Sequence, residues 1–147
     1  MFKNDNSKAT GKLTVEIKND KGVVIETREV KNLVVDDGLE YIASRMKDTS
    51  ATAMSHMAIG TGSTAAAAGN TALGTEAARQ ALTSTTVTAN AVAYVASFGA
   101  GTGTGAITEA GILNANSSGT LLCRTVFSVV NKGASDSMTI TWTVTVS

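Results

Sequence analysis

The chain of 147 residues has no proline, one cysteine, one histidine, and only one Trp, two Tyr and three Phe. A single cysteine excludes an intrachain disulfide framework, and one Cys with one His leaves too few ligands for a conventional zinc site. Twelve basic residues balance twelve acidic ones, so there is no surplus of positive charge to neutralise phosphates. That argues against a general nucleic-acid binder. No apolar run approaches the roughly 20 residues of a membrane-spanning helix. The opening MFKNDNSKATGK lacks the apolar core of a signal peptide. These shortages argue against an enzyme and towards a role in packing or assembly. The length suits one domain, and a chain of about 150 residues hides roughly 68–70% of its unfolded surface.

The charge that is present is unevenly placed. Residues 1–48 hold nine Lys/Arg and nine Asp/Glu; residues 49–147 hold three of each, namely Arg79, Arg124 and Lys132 against Glu76, Glu109 and Asp136. Soluble monomers usually carry about 25–35% charge on their surface. The polarity of the last two-thirds comes instead from Thr, Ser, Asn and Gly. Such a surface is either solvated through its hydroxyls or covered by other protein, since interface cores are depleted in Lys, Glu and Asp.

Residues 1–11 read as a polar, flexible arm, and 12–147 as a single β-rich domain. Leu13, Val15 and Ile17 alternate with Thr14, Glu16 and Lys18, the pattern of a half-buried strand. Asn19-Asp20-Lys21-Gly22 then turns into a return strand over Val23–Val30. Asp37 as N-cap and Glu40 three residues later form a capping box for a helix over Gly38–Lys47. Leu39, Ile42, Ala43 and Met46 would be its buried face. Further strands are expected at Met54–Ile59, within Thr83–Phe98 as one bent strand or two, and at Ala106–Leu113, Thr120–Val130 and Ser137–Val146. Residues 60–75 and 99–105 read as loops, the first with room for one helical turn. In the last strand Met138, Ile140, Trp142, Val144 and Val146 face one way and Thr139, Thr141, Thr143 and Thr145 the other. About seven to nine strands with one short α-helix predict a mainly β fold, a β-sandwich or a jelly-roll-like barrel.

No motif carries chemistry. Gly60-Thr61-Gly62-Ser63 and Gly99–Gly105 lack the GK[ST] ending and the strand-to-helix setting of a phosphate loop. His56 and Cys123 have no local signature of a nucleophile and its base. Cys123 alternates with Leu121 and Phe127, where a thiol behaves as a small apolar group. Asp36, Asp37 and Glu40 are explained by helix capping rather than by a cation. The threonine ladder has no 10–20-residue repeat and does not make an ice-binding solenoid. The candidates that remain are structural or interface residues: Glu76, Arg79, Glu109 and Arg124. Charges in an otherwise uncharged region need partners, so either at least one Glu–Arg pair among these four fixes strand register or a subunit contact, or the four are independent surface charges. No cofactor and no metal is expected.

The order VKNLVVDDGLEYIASRM, MAIGTGSTAAAAGNTALGTEAAR, ITEAGIL and TITWTVTV, covering about residues 30–147, resembles small tailed-bacteriophage virion structural proteins, variously head decoration (cement) or tail-fibre-like. The resemblance rests on structural patterns and brings no active-site residues. It implies a capsid decoration protein, made in the host cytoplasm and bound to the major capsid protein on the outer surface of the head. A homo-oligomer is expected, with no specific nucleic acid and no membrane as partner. The alternative is a tail, collar or fibre component, bound to tail proteins and serving as a receptor-binding module.

Overall fold

A computed structural model of the chain describes residues 9–47 and 51–147. It begins with the predicted hairpin. Strand β1 (Ala9–Lys18) alternates buried Leu13, Val15 and Ile17 with outward polar residues, and pairs antiparallel with β2 (Val24–Val34). In the turn between them the Asn19 side chain accepts the N–H groups of Lys21 and Val23, and Gly22 takes φ 75°. The expected arm therefore ends sooner than residue 11. Ala9, Thr10 and Gly11 are strand residues, paired through Val146, Thr145 and Val144; residues 1–8 lie outside the described residues.

Helix α1 (Asp36–Lys47) follows, and then β3 (His56–Gly60), β4 (Glu76–Ala81), β5 (Ser84–Thr88), β6 (Ala91–Phe98), β7 (Gly105–Leu113), β8 (Leu121–Lys132) and β9 (Ser137–Val146). The nine strands form one sheet in the order β4-β3-β7-β8-β2-β1-β9-β6-β5, and every pairing is antiparallel. The fold is thus mainly β with one short helix, as the alternation predicted.

The sheet cannot be flat. Its two end strands, β4 and β5, are joined by Leu82 and Thr83 alone. Eight spacings of about 4.8 Å would set flat edges roughly 38 Å apart, whereas the three Cα steps of that link span at most about 11 Å. The sheet curls into a half-barrel until its ends approach. β2 makes a second corner: residues from Val24 to Asn32 pair with β1, and only Leu33 and Val34 pair with β8.

Curling gives one main core inside. From β9 come Met138, Ile140 and Trp142, all fully buried, with Val144 beside them; Val146 at the strand end stays half-exposed. Leu13, Ile17, Phe98, Ile107, Ile112 and Met57 meet them. A smaller cluster of Val35, Ala58, Leu73, Leu113 and Leu121 lies apart from it. Leu121 was expected on the face of Cys123. A bulge separates them: Ile112 pairs with Cys123 but Leu113 with Leu121, so one β8 residue is skipped and Leu121 joins the second cluster.

The helix differs from its prediction in start and in face. Leu39 N–H donates to Val35 O, so helical bonding opens before Asp37, which becomes a first-turn residue rather than the cap of a Glu40 box. The inward face is Gly38, Tyr41 and Ile42; Leu39, Ala43 and Met46 are exposed. Gly38 is the cause. It lies against β8 so closely that a Cβ would stand 2.0 Å from Leu122 O, and this contact turns the helix by one position. The loop over 61–75 contains no helical turn. The strand β4 was not foreseen, because EAARQA has neither alternation nor β-branched residues.

Gly38→Ala is expected to cost about 1–3 kcal/mol, as overpacking does elsewhere. Met46→Ala, at a side chain 86% exposed, should stay within about 0.5 kcal/mol. Urea denaturation of the two variants checks which helix face carries the packing.

Candidate functional site

Glu109 sits on β7 opposite Gly60 of β3, and Arg124 sits on β8 opposite Gly111 of β7. Both alternate with core residues, so they lie on the outer face of the sheet. Both are nonetheless buried, at 0% and 2% exposure, because the segment 61–75 folds back over them. Removing two ions from water costs several kcal/mol each unless hydrogen bonds replace the lost hydration. Here they do. Glu109 Oε1 accepts Thr75 N at 2.7 Å and Gly62 N at 2.9 Å. Oε2 accepts Gly74 N at 2.8 Å, with Arg124 Nη2 at 2.8 Å and Nε at 3.0 Å. Arg124 also donates to Asn70 Oδ1 and to Thr64 O, both at 3.0 Å. Asn70 Oδ1 accepts Ala67 N as well.

The segment is held from both of its ends by one carboxylate, and across its middle by one guanidinium. Close backbone approach is what makes this possible. A Cβ at Gly62 would lie 2.5 Å from Glu109 Oε1. Thr108 Oγ1 donating to Gly62 O, and Thr61 N donating to Thr75 O, close the base of the loop. Burial by itself would raise the Glu109 carboxyl. The amides of Thr75, Gly74 and Gly62 and the Arg124 guanidinium outweigh it and hold the carboxyl below its ordinary value. A carboxylate with five donors and no exposure has nothing left to offer a substrate. The arrangement is a clamp.

The other sequence candidates form a second pair. Arg79 makes two bonds to Glu76, Nη2 to Oε1 at 2.6 Å and Nε to Oε2 at 3.1 Å. Its Nη1 donates to Ala115 O and Ser118 O at 2.9 Å each, tying β4 to the β7–β8 turn. So the structure joins Glu109 to Arg124 and Glu76 to Arg79. In the first case the pair orders a loop rather than a strand register.

Sequence reasoning missed Lys132. It is 1% exposed, and its Nζ donates to Gly99 O and Asp136 O at 2.8 Å each. Burial pushes its pKa down, against the pull of Asp136. Asp136 in turn accepts Gly133 N at 2.8 Å. It also missed Asn70 and the backbone donors of the clamp, which leave no mark beyond glycine spacing.

The remaining motifs come apart. Cys123 is fully buried in the main core, and burial pushes its thiol well above the usual range. His56 alternates with the core residue Met57, and its Nδ1 is 2.8 Å from Ser55 Oγ. The two therefore face opposite sides of the sheet. Asp36 and Asp37 occupy the first turn of α1. Among the described residues no group of three or more His, Cys, Asp or Glu is placed to hold a metal. Comparison with protein-family models, with curated proteins and with solved structures gave no match for this chain.

Glu109→Ala is expected to destabilise the fold by about 3–5 kcal/mol, because Arg124 is left buried and unpaired. The pH dependence has a definite sign. The native carboxyl ionises below its ordinary value of 4.5, so its contribution is complete above that value and is lost as pH falls through the lower native one. Denaturation curves from neutral to strongly acid pH should show this loss in the parent chain, and Glu109→Gln should lack that component.

Proposed function

We propose that the chain is a virion structural protein, a capsid decoration (cement) protein that binds the outer surface of a tailed-phage head and stabilises it. The observation that supports this is the fate of its charges. All six charged residues beyond position 48 are used inside the fold: Glu76 with Arg79, Glu109 with Arg124, Lys132 on two carbonyls, and Asp136 on the Gly133 amide. The outward face of β9, β6 and β5 is left with Thr139, Thr141, Thr143 and Thr145 beside Ala91, Ala93, Val95 and Ser97, and then Ser84, Thr86 and Thr88. It carries no charge across three strands.

A surface of this kind suits contact with protein. No ionic group has to be stripped of water, and short side chains lose little rotamer freedom when covered. The charged hairpin β1–β2 borders it with Lys12, Glu16 and Glu29. The resemblance of the loop and strand segments to small phage virion proteins gives the partner its class, the major capsid protein. Many copies, each bound weakly, then act together on one shell. In this reading the clamp is architecture and the chain carries out no reaction.

Purified chain added to undecorated heads should bind at high copy number and raise the temperature at which the heads rupture. Thr141→Lys together with Ala93→Lys, placed on the uncharged face, should weaken binding by at least about tenfold, the effect of some 1.4 kcal/mol per site. Electron microscopy that finds the chain as one ring at a tail vertex would reject the reading in favour of a tail, collar or fibre component.

A further inference from the structure

One cavity belongs neither to the clamp nor to the uncharged face. It lies where the half-barrel stays open, between α1 and the β5–β6–β9 end of the sheet, and measures about 350 Å³. Clefts that hold small ligands run from about 300 to 1,000 Å³, so this one has room for a single narrow molecule. Its walls are Ile42 of α1, Met54 before β3, Val92 of β6, Leu122 of β8 and Val144 of β9. They are apolar, and Ile42 and Val92 remain only partly buried because the cavity lies beside them.

Five polar side chains also reach the lining, Tyr41, Arg45, Thr85, Asn90 and Tyr94, and two of them suit a ligand head. Tyr94 comes from β6, is 7% exposed and lines the cavity. Burial, with Tyr41 next to it, pushes its pKa up to about 12, so it remains a donor at neutral pH. The second group is Arg45, exposed on α1 one turn beyond Tyr41 and Ile42, where it borders the cavity. Among the described residues it is the one charged side chain on the cavity lining, and its Nη1 donates to Ala51 O at 2.8 Å. That bond uses one of the five guanidinium N–H donors.

We propose that this cavity binds a single-chain amphiphile with a carboxylate head, a medium-chain fatty acid, its tail among Ile42, Met54, Val92, Leu122 and Val144 and its head on Arg45 and the Tyr94 hydroxyl. The choice follows from the lining. One cation among the described lining residues, beside neutral hydroxyl and amide groups, matches a monoanion; a nucleotide or polyphosphate needs several cations or a nest of amides. The inference does not depend on where the protein resides.

The test uses the whole chain and three probes with the same ten-carbon tail, each below its micelle concentration: decanoate, decanol and decyltrimethylammonium. Calorimetric titration should give one decanoate per chain. The cationic probe should bind at least about tenfold more weakly, because the Arg45 guanidinium repels its head and cannot donate to it. Arg45→Gln, at an exposed position, should remove that preference and leave decanol binding unchanged. Tyr94→Phe should weaken decanoate more than decanol. Val87→Trp, on the exposed lip, should block all three, with an unchanged melting temperature showing that the variant is folded. The proposal is overturned by failure of decanoate to bind, as when the cavity serves only a protein partner's side chain. Equal binding of anion and cation, or binding that survives Val87→Trp, overturns it too.

Discussion

The buried ion pair of Glu109 and Arg124 sets the terms for one side of this molecule. Two opposite charges on neighbouring strands, on a face that would otherwise meet water, are tolerable only if something covers them and completes their hydrogen bonds. The segment 61–75 does both. It brings three amides to the carboxylate, and a carbonyl and a side-chain amide to the guanidinium. Leu73 from the same segment closes the small apolar cluster with Ala58, Leu113 and Leu121. A stretch of alanine, glycine and threonine with little intrinsic preference thus acquires a definite course. Replacing the pair by apolar residues would keep the sheet and lose the reason for the loop.

The clamp also explains how the chain uses so little charge. Each ionic group in the last two-thirds closes a connection: Arg79 holds the β7–β8 turn, Lys132 the 99–104 connection, and Asp136 the β8–β9 turn. Charge works here as internal fastening, and the outward polarity comes from hydroxyl groups and from the charged β1–β2 hairpin. The absence of proline fits the same economy, since edges are handled by curling the sheet and not by blocking strands.

Much of the fold was legible. Residues from Ser137 to Val146 alternate without a break, and the structure keeps both ends of that strand. Lys12–Lys18 and the Asn19–Gly22 turn were equally plain. What failed did so for identifiable reasons. The helix face was misjudged because periodicity fits two adjacent faces, and the choice was made by Gly38, which has no hydropathy signal but allows a backbone contact with β8. The side of Leu121 was hidden by a bulge that alternation cannot register. Of the site, the scarcity of charge singled out Glu109 and Arg124 as residues in need of partners. Their backbone donors were not readable, since an amide looks the same in every residue.

The order of strands has a kinetic side. β9 lies between β1 and β6, with Gly11 opposite Val144 and Lys18 opposite Ser137. β1 therefore waits for β9, more than a hundred residues later, before its second edge is filled. Contacts this distant along the chain slow folding, and the half-made sheet meanwhile exposes Leu13, Val15 and Ile17 to whatever is near. Loss of β9 would cut β6 and β5 off from β1 and its neighbours rather than shorten a frayed end.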